Sequence, residues 1–82
     1  MATVRLRLFA AAREAAGTGS AEVDGATVGE VLDVARGRFG ATFAAVLAGS
    51  RVWIDGDEPV DGDATPVIDG TEVAVLPPVS GG

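Results

Sequence analysis

The sequence predicts an α+β domain of two layers, a sheet covered on one side by a helix. Three patterns carry that reading: period-two alternation near the N-terminus, one helix with both ends written into its sequence, and a continuous apolar run close to the C-terminus.

Residues 3–9 read T-V-R-L-R-L-F, with Val4, Leu6 and Leu8 on one face and Arg5, Arg7 and Phe9 on the other. This is the pattern of a strand with one buried face. Residues 10–16, A-A-A-R-E-A-A, are rich in good helix formers and are closed by Gly17, so a helix of about two turns is expected. After the Gly17-Thr18-Gly19 loop, residues 20–23 form a short second strand antiparallel to the first, ended by the Asp24-Gly25 turn. Thr27-Val28-Gly29-Glu30 then matches the capping box, in which the Thr hydroxyl and the Glu carboxylate each satisfy a backbone N–H that the first helical turn leaves unpaired. Val28, Val31, Leu32, Ala35 and Phe39 follow at three- and four-residue steps, and Gly40 stands where a left-handed C-terminal cap belongs. The main helix is therefore placed over residues 28–39. Residues 41–48, A-T-F-A-A-V-L-A, predict another short helix before Gly49, and residues 51–54 predict a strand carrying the single tryptophan, Trp53. Two Asp-Gly turns flank a short strand piece at 58–60. Asp69-Gly70 is a further turn, and residues 73–76 read as an apolar strand inside a sheet. If that strand pairs with the first one in the sheet centre, the last six residues leave the end of a central strand.

Composition bounds the chemistry. The 82 residues contain no His, Cys, Tyr or Lys, and all six basic residues are Arg. An ordinary zinc site, a thiol nucleophile, a Ser-His-Asp relay, a Schiff base and a P-loop lysine are thereby excluded. Whether the chain is part of an enzyme is left open, since it has no catalytic side chains of its own; chemistry must rest on carboxylates, the backbone or a partner. Twelve acidic residues against six Arg give a net charge of −6, which disfavours nucleic acid and anionic membranes and favours a basic protein surface as partner. The N-terminus alternates charged and apolar residues instead of forming a signal-peptide core, and no apolar run reaches the ~20 residues of a spanning helix, so a cytoplasmic protein is expected.

The acidic run Asp55, Asp57, Glu58, Asp61, Asp63 invites a calcium reading. It fails the EF-hand pattern, because Pro59 and Val60 stand where a ligand and a glycine belong, so solvated turns are expected and no metal. Gly17 and Gly19 lack the third glycine of a dinucleotide fingerprint. Arg13 with Glu14 reads as a surface pair and Trp53 as a packing residue.

The C-terminus stands apart. One folded domain over residues 1–76 is expected to carry a flexible tail over 77–82, Pro77-Pro78-Val79-Ser80-Gly81-Gly82. Two prolines favour an extended stalk, and two glycines present a terminal carboxylate with no side chain beside it. Six residues at ~3.1 to 3.5 Å each reach about 20 Å, far enough to enter a neighbour's active site. This geometry suits a carrier whose reactive atom is its own terminal carboxyl.

The ending E-V-A-V-L-P-P-V-S-G-G, the opening V-R-L-R-L-F-A-A-A-R-E and the capped T-V-G-E-V-L helix between them resemble the small, sulfur-carrying subunit of molybdopterin synthase. The resemblance spans essentially the whole chain. It implies a ubiquitin-like β-grasp fold, a mixed sheet of four to five strands packed against one main helix with short extra helices. It also implies a cycle in which an ATP-dependent activating enzyme adenylates Gly82, sulfur replaces AMP to give a thiocarboxylate, and the tail enters the large synthase subunit to sulfurate a pterin precursor. Residues 77–81 would line that insertion. The chain itself would bind no cofactor, ATP being used by the activating partner. Position by position, Phe9, Val60 and Leu76 fall where the family places apolar residues that dock the large subunit; the competing reading makes Val60 and Leu76 core. Related carriers that deliver sulfur to thiamin, cysteine or a secondary metabolite share the tail, while Pro-Pro-Val-Ser before Gly-Gly favours the molybdenum route. A non-covalent interaction module with an inert tail is the remaining alternative.

Overall fold

The computed structural model describes residues 2–78. Strand β1 (Ala2–Leu8) leads into helix α1 (Ala10–Ala16), followed by β2 (Ser20–Gly25), α2 (Val28–Phe39), α3 (Ala41–Ala48), β3 (Arg51–Ile54), a single 3-10 turn (Gly62–Ala64) and β4 (Glu72–Leu76). The four strands form one mixed sheet in the order β2-β1-β4-β3. The last strand does lie beside the first: β1 and β4 run parallel, with Leu6 opposite Val73 and Leu8 opposite Val75, whereas both outer pairs are antiparallel.

Alternation along the central strands decides which face is covered. Val4, Leu6 and Leu8 of β1 and Val73 and Val75 of β4 are buried, and α2 lays Val28, Val31, Leu32 and Ala35 onto them. Helix α3 adds Phe43 and Leu47 to the same core, and the Phe43 ring meets Phe39 at 5.1 Å between centroids with a 58° tilt. Each fully buried Leu, Val or Phe contributes about 1.5–3 kcal/mol by leaving water, so the long helix and its follower hold the sheet by area, without staples.

The capping box operates with one change. Thr27 Oγ1 accepts from the Glu30 N–H at 3.2 Å, but Glu30 Oε1 reaches past the cap residue to the Ala26 N–H, also at 3.2 Å. At the far end Gly40 has φ 92° and ψ −173°, a positive φ outside the left-handed helical region expected of it. Its position explains the difference: Gly40 closes α2 and opens α3 at once, and only a glycine accepts that extended, positive-φ turn without strain. Gly17, with φ 77° and ψ 11°, is the left-handed cap of α1.

Two expectations need correction. The first strand ends at Leu8, because Phe9 leaves the ladder to become the residue before α1. The expected strand piece at 58–60 does not form. Asp55-Gly56 makes a two-residue turn with φ 49° and 87°, and Asp57 closes one bridge to Ile54. Pro59 then follows, without an N–H for a ladder, and the chain goes into the 3-10 turn. The sheet accordingly has four strands, the lower of the two numbers expected.

Candidate functional site

The parallel pairing of β1 with β4 is set up at one end by local hydrogen bonds and released at the other. At the entry, Asp69 Oδ1 accepts from the Thr3 N–H at 2.8 Å, the Gly70 N–H donates to the Thr3 carbonyl at 3.0 Å, and the Arg5 N–H donates to the Thr71 carbonyl at 2.9 Å. At the exit, β4 ends at Leu76 and the chain passes into Pro77 and Pro78. Val79, Ser80, Gly81 and Gly82, the tail residues the sequence singles out, lie outside the described residues.

The residues around that exit form a recognisable face. Arg7, Ala74 and Trp53 stand in one row across β1, β4 and β3 through the register Arg7 opposite Ala74 and Ala74 opposite Trp53. Beyond that row Leu76 faces Arg51, and Phe9 follows Leu8, the last residue of β1 paired with β4, through its pairing with Val75. All of these alternate with core residues and so point away from the helices. Phe9 is exposed and Leu76 half-buried, so neither belongs to the core. Val60 is 90% exposed, which removes the core reading for it; it stands in the connection after β3, two residues beyond Glu58. Trp53 is half-buried on the outer face, a member of the patch and not of the core. Sequence reasoning had left it aside as a packing residue, although its place between Val52 and Ile54 in an alternating strand was the available signal.

One of the acidic residues that invited a metal reading serves the backbone instead: Asp55 Oδ1 accepts from the Glu72 N–H at 2.9 Å. At Asp61 the backbone N–H donates to Thr65 Oγ1 at 2.9 Å. Among the described residues no group of three acidic side chains converges as a cation needs. Nor is any helix among them long and apolar enough to cross a membrane.

A four-stranded mixed sheet with a parallel central pair, one long helix across its inner face and a terminal strand emptying into a Pro-Pro segment is the ubiquitin-like β-grasp architecture. The chain belongs to the ThiS family, a family of ubiquitin-like sulfur carriers, which matches residues 6–82. Among solved structures it is similar to small archaeal modifier protein 1 from Methanosarcina acetivorans, with 31% identity and a TM-score of 0.88 over 100% of this chain and 98% of that one. A chain of the Amycolatopsis orientalis BexX/CysO complex is 26% identical with a TM-score of 0.81, covering 96% of this chain and 99% of its own. A Pyrococcus furiosus chain named for subunit 1 of molybdopterin converting factor shares the fold at 23% identity and a TM-score of 0.83, over 96% of this chain and 100% of that one. No curated protein matches the sequence.

Proposed function

We propose that the chain carries sulfur on its C-terminal glycine for the assembly of molybdopterin. The observation that supports this most directly is the course of β4, which runs through the middle of the sheet, anchored on both sides, and passes at Leu76 into Pro77-Pro78-Val79-Ser80-Gly81-Gly82. The folded domain thereby holds the root of a stalk long enough, at six residues, to enter another protein.

The chemistry then runs as follows. A carboxylate oxygen of Gly82 attacks the α-phosphorus of ATP on an activating enzyme, and pyrophosphate leaves. Hydrosulfide attacks the acyl carbon, AMP leaves, the S–H proton is lost, and a thiocarboxylate remains. That thiocarboxylate enters the large synthase subunit on the tail and gives its sulfur to the pterin precursor, and water returns Gly82 to a carboxylate. The chain binds no nucleotide itself; without Lys or His, it leaves nucleotide binding and proton transfer to its partners. Phe9, Leu76 and Val60 dock the large subunit, and Pro77 to Gly81 occupy its channel, where a terminal glycine passes and a β-carbon would clash.

Intact mass after incubation with ATP, a sulfur source and a competent activating enzyme tests the carrier step. A gain of about 16 Da, sulfur exchanged for oxygen at Gly82, is expected; an unchanged mass would favour the inert-tail module. A second reading keeps the carrier chemistry and changes the acceptor to thiamin, cysteine or a secondary metabolite. Likeness to the chain of the BexX/CysO complex favours it. Supplying the loaded chain with a large synthase subunit and pterin precursor decides between them, since only the first reading yields a dithiolene product.

A further inference from the structure

The Asp-Gly pairs that punctuate the sequence differ in how the fold holds them. Four occur, at 24–25, 55–56, 61–62 and 69–70. In three of them the aspartate carboxylate is occupied. Asp24 Oδ1 accepts from Thr3 Oγ1 at 2.6 Å, and Gly25 is buried in the ladder opposite Ala2. Asp69 Oδ1 accepts from the Thr3 N–H at 2.8 Å while the Gly70 N–H donates to the Thr3 carbonyl at 3.0 Å, so both groups of that pair are bound where β1 meets β4. Asp55 Oδ1 accepts from the Glu72 N–H at 2.9 Å, and the Asp55 N–H donates to the Glu72 carbonyl at 2.8 Å. Asp61-Gly62 is different. Both residues are exposed, and among the described residues neither the Asp61 carboxylate nor the Gly62 N–H has a hydrogen-bond or ion-pair partner. The pair opens the 3-10 turn, with Asp61 at φ −118° and ψ 30°. Its backbone is held by the Asp61 N–H bond to Thr65 Oγ1 and by two bonds of that single turn, 3.1 Å each, from the Ala64 N–H to the Asp61 carbonyl and from the Thr65 N–H to the Gly62 carbonyl. Bonds of a short 3-10 turn have poor geometry, and an exposed turn opens locally without unfolding the core.

From this difference we infer that Asp61-Gly62 is a site of spontaneous covalent modification, at which the folded chain converts aspartate to isoaspartate ahead of its other Asp-Gly pairs. The Gly62 amide nitrogen attacks the carboxyl carbon of protonated Asp61; a C–N bond forms, the C–OH bond breaks, and the carboxyl hydroxyl leaves with the amide proton as water. Glycine on the attacking side admits this close approach because no β-carbon stands beside the nitrogen. Water then opens the five-membered succinimide at either carbonyl. Opening at the side-chain carbonyl restores aspartate, and opening at the backbone carbonyl leaves the chain running through the β-carbon with a free carboxylate on the α-carbon. One water is lost and one regained, nothing is oxidised or reduced, and the product has the mass of the parent. In the other three pairs the same ring closure must first break a bond that ties the carboxylate to β1 or β4. The product adds one carbon to the backbone next to Val60 and offers the α-carboxylate that an S-adenosylmethionine-dependent isoaspartyl methyltransferase esterifies.

The test ages the full chain for weeks in mildly acidic buffer, folded in one sample and in concentrated urea in the other. Isoaspartate is counted by methyl transfer from S-adenosylmethionine with an isoaspartyl methyltransferase. Tryptic cleavage after Arg13, Arg36 and Arg51 separates Asp24 from the other three aspartates, and electron-transfer fragmentation of peptide 52–82 places the isomer among those three. In urea the four pairs are expected to react at comparable rates, because the bonds that distinguish them are gone. In the folded chain Asp61 is expected to lead each of the others by at least about fivefold, the factor that one hydrogen bond of ordinary net strength gives. Asp61→Glu, whose ring closure would need six members, is expected to remove the folded-state signal with an unchanged thermal midpoint, since the Asp61 carboxylate ties down no other element. The same distribution of isoaspartate in folded and urea samples overturns the inference, as does a folded chain in which another pair leads. Signal that survives Asp61→Glu, or no isoaspartate in either sample, overturns it too.

Discussion

The guanidinium carbon of Arg7 lies 5.7 Å from the centroid of the Phe9 ring. Two residues apart on one face of an extended segment, they form a unit in which a cation steadies an aromatic ring on the outside of the sheet. At an exposed site that contact stabilises by about 0.5–1 kcal/mol. Phe9 also precedes α1 without a side-chain capping bond, so nothing is lost there on truncation. Phe9→Ala should therefore lower stability by about 1 kcal/mol in urea denaturation while weakening partner binding by about tenfold or more, as loss of an aromatic anchor does. A stability loss above about 3 kcal/mol would place the ring in the core instead.

How much of this was legible in the sequence depended on whether the deciding interaction was local. The bounds of α2 were readable because Thr27, Glu30 and Gly40 act within a few residues of themselves, and the observed helix spans Val28–Phe39. The burial of β1 was readable because Val4, Leu6 and Leu8 alternate with charged neighbours. The chain after Asp55 was not, since Asp-Gly turns announce a hairpin but only a partner edge makes a strand, and Pro59 cannot supply one.

Two glycines separate close packing from helix propensity. Gly25 ends β2, and a β-carbon there would stand 2.8 Å from Val31 Cγ2 and 3.0 Å from the Val31 backbone nitrogen. Backbone cannot yield as a flexible side chain does, so Gly25→Ala should destabilise by about 1–3 kcal/mol. Gly37 lies exposed within α2 with nothing within 4 Å, so Gly37→Ala should stabilise by about 0.5–1 kcal/mol. Opposite shifts in the urea midpoints are the expected readout, and shifts of the same sign would contradict the packing of α2 on β2.

Thr27→Ala isolates the cap. It removes the acceptor for the Glu30 N–H and leaves the Ala26 bond to Glu30 in place. A cost of about 1 kcal/mol is expected. Because α2 carries four core residues, the loss should appear in global unfolding and not as local fraying, which hydrogen exchange along the helix can check.

The tail is the place where function and stability should come apart most cleanly. Among the described residues the core cluster runs from Val4 through Val75, and neither Pro77 nor Pro78 belongs to it. Deleting Gly82, or appending one residue after it, should therefore leave the thermal midpoint within about 1 °C of the parent. Sulfur transfer should nevertheless disappear in both variants, since deletion ends the chain at Gly81, one residue short of the reacting position, and extension buries the acyl carbon of Gly82 in a peptide bond that ATP cannot activate. Mass spectrometry before and after the transfer assay guards against trimming of the added residue. An extended chain that still transferred sulfur, intact, would show that the reactive group lies elsewhere. An acidic domain without His, Cys or Lys has no side-chain substitute for it.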